Sequence, residues 1–377
     1  MKKNGKSKLA AAGSLLLVLA TVTFTGCGKK SASAAGEKSH FKIKVGKTAS
    51  ATFLSPLIQL AWEKGYLHDY GLDLDIQKID RIAAFDSVEL GKLDTVYFEL
   101  IPELSKGAQG GKIKVLAGTQ SGGMAVAANH EVAEEVRDIN NWKGKIIATK
   151  LISTSEMIVK DTLRNEYGLI AGKDYTLKLL EGDESILAAI HQGGKKGGAD
   201  IGFIGATAVE TAINQGDDYL FPETHLKKDY VCCRQTFNQK NVDSNRDKFV
   251  GYLKGQIRAY KDYVTDREGS IDALVRSTGQ SVNYVTSFIY DRESSQDTRY
   301  NPDPNYNGVA GVYDVLLESK YVETDRPLCE FYDISIYADA LRQVIQEFPD
   351  DNFYRDMWTY FEENNCKFPE FDQKFSL

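Results

Sequence analysis

The side chains of this chain that could do chemistry are scattered hydroxyls and single charges, not an assembled catalytic set. Ser153, Thr154 and Ser155 stand at the head of a helical repeat that runs to Tyr167. The first turn of a helix carries unpaired backbone N–H groups and about half a positive charge, so hydroxyls there suit a ligand oxygen. Ser153 followed by Glu156 also fits a capping box, which accounts for that serine without any ligand. Thr48, Ser50, Arg81, Thr119, Gln120, Ser121 and Gly205 close strand-like segments, and Glu99 follows the pair Tyr97-Phe98. Neighbours in a strand face opposite ways, so one of those two rings belongs to the core; Phe98 is assigned to the site. Lys47 and Arg81 are the cations at these strand ends and either could pair an anionic solute, whereas a carboxylate at Glu99 would repel one and favour an amine or a neutral heterocycle. Cys232 and Cys233 are adjacent, so an extended strand points them to opposite faces and keeps them from bridging. The five histidines form no cluster, and neither HExxH nor CxxC occurs, which leaves a zinc site without support. No Ser-His-Asp order or catalytic carboxylate pair can be argued from spacing. The expectation is a binding site with no metal, no cofactor and no enzymatic step.

Strands alternating with helices must position these residues. Phe41–Gly46, Leu72–Ile76, Thr95–Phe98, Lys112–Gly118, Met124–Ala128, Lys145–Thr149, Tyr175–Leu180 and Ile201–Ile204 read as strands. Leu57–Lys64, Ala83–Leu90, Ser155–Tyr167, Ser185–Gln192 and Ala206–Asn214 carry helical periodicity between them. Such alternation implies an α/β architecture with mostly parallel sheets and crossover helices. Tyr230–Phe237 is the last strand candidate; the sequence turns helical from Arg246, and the tail from Asp350 shows no clear periodicity. Ser87–Asp94 and Ala189–Asp200 echo each other, each a helix end, a glycine turn and an aspartate leading into a strand. Open α/β sheets bind ligands beyond the carboxyl ends of their strands, where all the candidate residues fall.

The N-terminus carries a different kind of signal. Met1 to Lys8 holds four lysines and no acid, Leu9 to Phe24 is almost wholly apolar or small, and the stretch closes Thr25-Gly26-Cys27. A basic head, a short apolar run and a small-residue cleavage site describe a secretory signal, too short for a membrane span of about 20 residues. Phe24-Thr25-Gly26-Cys27 is similar to the bacterial lipobox, which makes Cys27 the lipidation site. The small polar stretch behind it reads as a tether. Without the leader lysines the chain keeps 42 basic against 53 acidic residues, a balance that argues against nucleic-acid binding. Four further cysteines make no disulfide framework.

The order of short motifs resembles a known family. Ala61-Trp62-Glu63-Lys64-Gly65-Tyr66-Leu67 leading to Tyr70-Gly71-Leu72-Asp73-Leu74, then Leu90-Gly91-Lys92-Leu93-Asp94, Asn141-Trp142-Lys143-Gly144-Lys145 and Ser153-Thr154-Ser155 are similar to the nitrate/sulfonate/taurine-type solute-binding proteins of ABC importers, including those for thiamine-pyrimidine precursors. The resemblance implies a two-lobed periplasmic-binding-protein fold of type II with two crossing strands. Its boundaries become a signal peptide over 1–26, a tether over 27–40, one lobe from 41–122 plus 231–345, the other from 123–230, and an extension over 346–377. The implied function is capture of a small organic or oxyanion solute (sulfonate, nitrate, pyrimidine or similar) in the interlobe cleft and delivery to a permease and its ATPase. The implied state is a monomer held by lipid on the outer face of the cell membrane. Two alternatives stay open: a ligand-sensing ectodomain without a permease, and an enzyme like the fungal thiamine-pyrimidine synthases. Those enzymes carry a cysteine-rich run near the return strand and a histidine after the third strand; Leu100–Leu104 offers no histidine.

Overall fold

The structure, a computed structural model, describes residues 40–48, 54–80, 83–228, 230–375 and 377, with the Thr48 side chain excepted. The leader, the tether, Cys27, Ser50 and Arg81 lie outside the described residues.

Eleven strands among the described residues form two sheets. In the first, β1 (Phe41–Thr48) pairs in parallel with β2 (Leu72–Ile79) and β3 (Thr95–Glu99). Period-two patterning builds this edge: Ile43, Val45 and Leu72 are fully buried while Lys42 and Lys44 face out. β4 (Ile113–Ser121) runs out to the far side, and the two-residue β11 (Arg299–Tyr300) pairs with its end. β10 (Val231–Asn238) lies between β3 and β4, antiparallel to both.

The chain leaves this sheet at Gly122-Gly123 and enters the second through β5 (Met124–Ala128). There β6 (Ile146–Lys150) pairs in parallel with β7 (Thr176–Leu180) and β8 (Ile201–Gly205), while β5 runs antiparallel to β8 and β9 (Asp218–Pro222). Both sheets are therefore mixed, with four parallel and five antiparallel strand pairings between them, where the sequence led us to expect mostly parallel ones. β5 and β10 run against their neighbours because the chain passes from one sheet to the other through them. Gly122 (φ +67°) and Gly123 (φ +92°) make the first crossing, a conformation that costs other residues energy.

The two echoing segments are the same physical device. Each helix (Ala84–Glu89 or Asp183–Gln192) turns through a left-handed glycine, Gly91 or Gly193, into a central strand. Asp94 accepts from the Lys44 N–H at 2.8 Å, and Asp200 accepts from the Ile146 N–H at 2.8 Å, each tying a neighbouring strand to the strand it precedes.

Two further expectations need correction. The tail is not aperiodic: it forms a helix over Asn352–Asn365 that buries Tyr354, Met357, Trp358 and Phe361. Their spacing of three, four and seven is helical, and the charged and amide residues between them hide it. β9 was also missed as a strand. It is five residues long and ends in Pro222, which an edge strand tolerates because its outer N–H groups need no partner.

Candidate functional site

A cleft of about 340 Å³ opens where the strand ends of the two sheets meet the crossing strands. From the first sheet come Tyr97 and Glu99 of β3 and Thr119 and Gln120 of β4. Ser55 and Pro56 add the start of the helix Pro56–Glu63. Tyr284 and Phe288, four apart on the helix Val282–Ile289 with rings 6.0 Å apart and nearly coplanar, add an aromatic wall that Tyr300 of β11 extends. The second sheet presents Met124, Lys150, Asp183 and the segment Gly205-Ala206-Thr207. The first turn of the helix Thr154–Tyr167 faces the cleft with Ser153, Thr154 and Ser155, and Cys232 and Cys233 come from the return strand.

Seven residues expected from sequence are thus brought together: Glu99, Thr119, Gln120, Ser153, Thr154, Ser155 and Gly205. Three are placed otherwise or incompletely described. Phe98 packs among Phe85, Val88, Leu93 and Val96 and borders an adjoining hollow, so it is Tyr97, its neighbour on the opposite face, that reaches the cleft. Ser121 sits in the ladder opposite Val231 and Arg299 and does not line the cleft. Thr48 ends β1, and its side chain is not described. Sequence reasoning missed Ser55, Asp183, Tyr284, Phe288, Thr298 and Tyr300. The aromatic pair at helical spacing was the one available signal.

The hydroxyls divide into those the fold consumes and those it leaves over. Ser153 Oγ donates to the Lys150 carbonyl at 2.8 Å and accepts from the Glu156 N–H at 3.1 Å, while Glu156 accepts from the Ile152 N–H at 2.8 Å. That is helix capping. Thr154 Oγ1 donates to the Cys232 carbonyl at 3.3 Å and links the helix to the return strand. By contrast, Ser55 Oγ, Thr119 Oγ1 and Tyr300 Oη are buried in the cleft wall and make no hydrogen bond among the described residues. A buried polar group without a partner costs about 1–3 kcal/mol, a penalty that a bound solute can relieve.

Charge in the cleft is negative on balance. Lys150 is the one cation among the described lining residues, and Asp183 pairs with it at 3.1 Å while accepting from the Gly205 N–H at 3.0 Å. Glu99 adds a further carboxylate. Behind the serines Glu223 is fully buried; loss of water pushes its carboxyl up to about 7, against the pull of the Tyr230 and Ser155 hydroxyls. Burial likewise holds the Tyr97 and Tyr300 phenols well above their ordinary range, so both rings stay neutral. Among the described residues no group of three His, Cys, Asp or Glu side chains could hold a metal ion.

The cysteine pair departs from simple strand alternation. Two irregularities in the β10–β4 ladder, on either side of Cys233, twist the strand locally. Both sulfurs therefore reach the cleft, 3.0 Å apart, and the expectation that they face opposite ways is wrong. The Cys232 sulfur beside it and burial hold the Cys233 thiol well above its ordinary range.

Two mixed sheets joined by crossing strands that run against their neighbours, with a cleft at their meeting edges, define the periplasmic-binding-protein fold. The chain belongs to the NMT1/THI5 like family, whose model matches residues 57–286. Solved structures share the fold at low identity. The periplasmic nitrate-binding protein NrtA of Synechocystis PCC 6803 aligns with a TM-score of 0.64 at 16% identity, over 84% of this chain and 91% of its own. The ligand-binding component of an ABC-type import system from Staphylococcus aureus, with zinc bound, gives 0.62 at 16%, over 79% and 98%. The periplasmic aliphatic sulphonate-binding protein SsuA of Escherichia coli gives 0.56 at 16%, over 74% and 88%. No curated protein matches the chain.

Proposed function

We propose that the protein is the solute-binding subunit of an ABC importer, anchored by lipid at Cys27 outside the cell membrane, and that its solute is a neutral or cationic planar molecule such as a nitrogen heterocycle or aromatic amine. Export and anchoring are supported by the basic, apolar and small-residue order of the leader. The binding role is supported by family membership and by the structural neighbours, an ABC-type import component and two periplasmic binding proteins. The solute class rests on one observation: the described lining of an aromatic-walled cleft holds two carboxylates, Glu99 and Asp183, against one cation, Lys150. An oxyanion there would meet carboxylates without a cation to spare, whereas a cation or a ring with N–H donors would meet carboxylate, aromatic faces and leftover hydroxyls. Delivery to a permease follows from the same reading, with the lobes carrying the solute between them.

A thermal-shift screen across nitrate, alkanesulfonates, pyrimidines, flavins and aromatic amines tests it. A ligand held only by the native state raises stability by about 2.7 kcal/mol at a hundredfold excess over Kd. The expected result is a rise in Tm with a heterocycle or amine and none with nitrate or sulfonate; the reverse pattern contradicts the solute class.

A further inference from the structure

Cys232 and Cys233 line the cleft, and the proposed recognition of a solute assigns them no role. Their sulfurs lie 3.0 Å apart, closer than ordinary contact between unbonded sulfurs, and both line the cleft. The other described cysteines, Cys329 and Cys366, are free thiols outside it. We propose that Cys232 and Cys233 form a reversible vicinal disulfide whose closing and opening reshapes the wall of the cleft. The proposal rests on the reading above only in placing the protein in an extracytoplasmic, oxidising setting.

The geometry favours closure and also limits its strength. A covalent S–S bond is about 2.05 Å long, so the sulfurs need to approach by roughly one ångström. Neighbouring Cα atoms stand about 3.8 Å apart across a trans peptide, below the usual span of about 4.4–6.8 Å for disulfide partners. The ring is therefore strained and easily reduced, as labile disulfides are. The partner that takes up the electrons is an organic or protein disulfide. One cysteine sulfur, deprotonated, attacks it and expels one of its thiolates, giving a mixed disulfide. The second sulfur then displaces the other thiolate. The pair loses two electrons and two protons, and the external disulfide that accepts them becomes two thiols.

Closure is felt in the cleft because the backbone of the pair is tied to cleft residues. Cys233 pairs with Glu99 across β3 and with Gln120 across β4. The Cys232 carbonyl accepts from Thr154, at the start of the second-lobe helix. The Cys233 carbonyl accepts from the buried Arg234 guanidinium at 2.8 Å. Turning the Cys232–Cys233 peptide to close the ring moves the Cys232 carbonyl, the acceptor on which Thr154 depends, and the Cys233 carbonyl that holds Arg234 sits on the adjoining peptide.

The full-length protein is equilibrated with oxidised or reduced glutathione, denatured with an alkylating agent, and mapped by peptide mass spectrometry. The expected result is an unlabelled 232–233 peptide two mass units below the dithiol after oxidation, and a doubly labelled one after reduction. Both thiols alkylating fully after oxidation, or either found bonded to Cys329 or Cys366, overturns the proposal. Phenylarsine oxide, which two neighbouring thiols chelate, binds the reduced protein one to one and not C233S; equal binding to both overturns the assignment of the pair. Amide hydrogen exchange of the folded protein separates a silent bond from a structural one. Exchange over 153–157 and 97–100 differs between the two forms, and identical exchange overturns the coupling to the cleft. None of these readouts uses a solute, so they stand or fall apart from the solute assignment.

Discussion

Thr119 and Ser153 are both buried hydroxyls at the cleft, and the fold treats them differently. Ser153 satisfies the helix start, so Ser153→Ala should lower stability by ~1 kcal/mol and leave solute affinity nearly unchanged. Thr119 Oγ1 has no partner among the described residues, so Thr119→Val, of equal shape, should leave the Tm unchanged or raised. Its effect belongs to binding: a loss of about 1 kcal/mol, roughly fivefold in Kd, read by titration calorimetry. A destabilised Thr119→Val with unaltered affinity would make that hydroxyl structural. Buried carboxyls set the pH dependence, and burial holds Glu103 and Asp217 above their ordinary range as it does Glu223 and Asp303. Burial pushes Glu223 and Asp303 up to about 7, in Asp303 against hydrogen bonds from Asn365 and the Asn305 N–H. In the unfolded chain both titrate near 4. Between these values the native state binds more protons, so the stability they contribute is full below about 4 and lost as pH rises through about 7. The Tm should be higher at pH 5 than at pH 8, and Glu223→Gln should narrow the difference. A Tm that rises across this interval contradicts the assignment.

The first crossing is built on two glycines that nothing larger fits. A Cβ on Gly122 would lie 2.5 Å from the Asp297 carbonyl oxygen, a backbone atom that cannot swing away, and φ is +67°. Gly168, which ends the helix Thr154–Tyr167, has the same φ of +67° with open space around it. Gly168→Ala should cost about 1 kcal/mol for the left-handed backbone alone, and Gly122→Ala at least about 2, measured by denaturant unfolding. Equal losses would show that the crossing relaxes around the methyl group. At this scale much was legible from sequence. The alternation of Phe41–Gly46 and Leu72–Ile76, the helix read from Ser155 and capped by Ser153, and the aspartate echo all follow from local rules of period and capping. The cysteine pair was misread because a register shift in a ladder depends on the partner strand, which local pattern does not carry. Tyr284, Phe288 and Tyr300 were missed because long-range packing brings a helical return segment to the cleft, and as sequence they resemble core residues. Ser55 escaped because its burial, not its type, makes it informative.

As a whole the molecule is two sheets connected at Gly122-Gly123 and again between β9 and β10, with the cleft at the meeting edges. A solute that touches both sides stabilises the closed arrangement by its differential contacts. Small-angle scattering should show a smaller radius of gyration in saturating solute; superimposable profiles would argue for a preclosed cleft. The central claim is that Glu99 and its aromatic surroundings select a neutral or cationic planar solute between the lobes. Titration calorimetry of the solute that gives the largest thermal shift, against the unaltered protein and Glu99→Gln, tests that claim most directly. The prediction is at least a tenfold weaker Kd in the variant, with the Tm of the free protein within a few degrees and with nitrate and alkanesulfonates giving no heat of binding to the unaltered protein. Equal affinity in the two proteins, or saturable binding of nitrate or a sulfonate to the unaltered one, would contradict it.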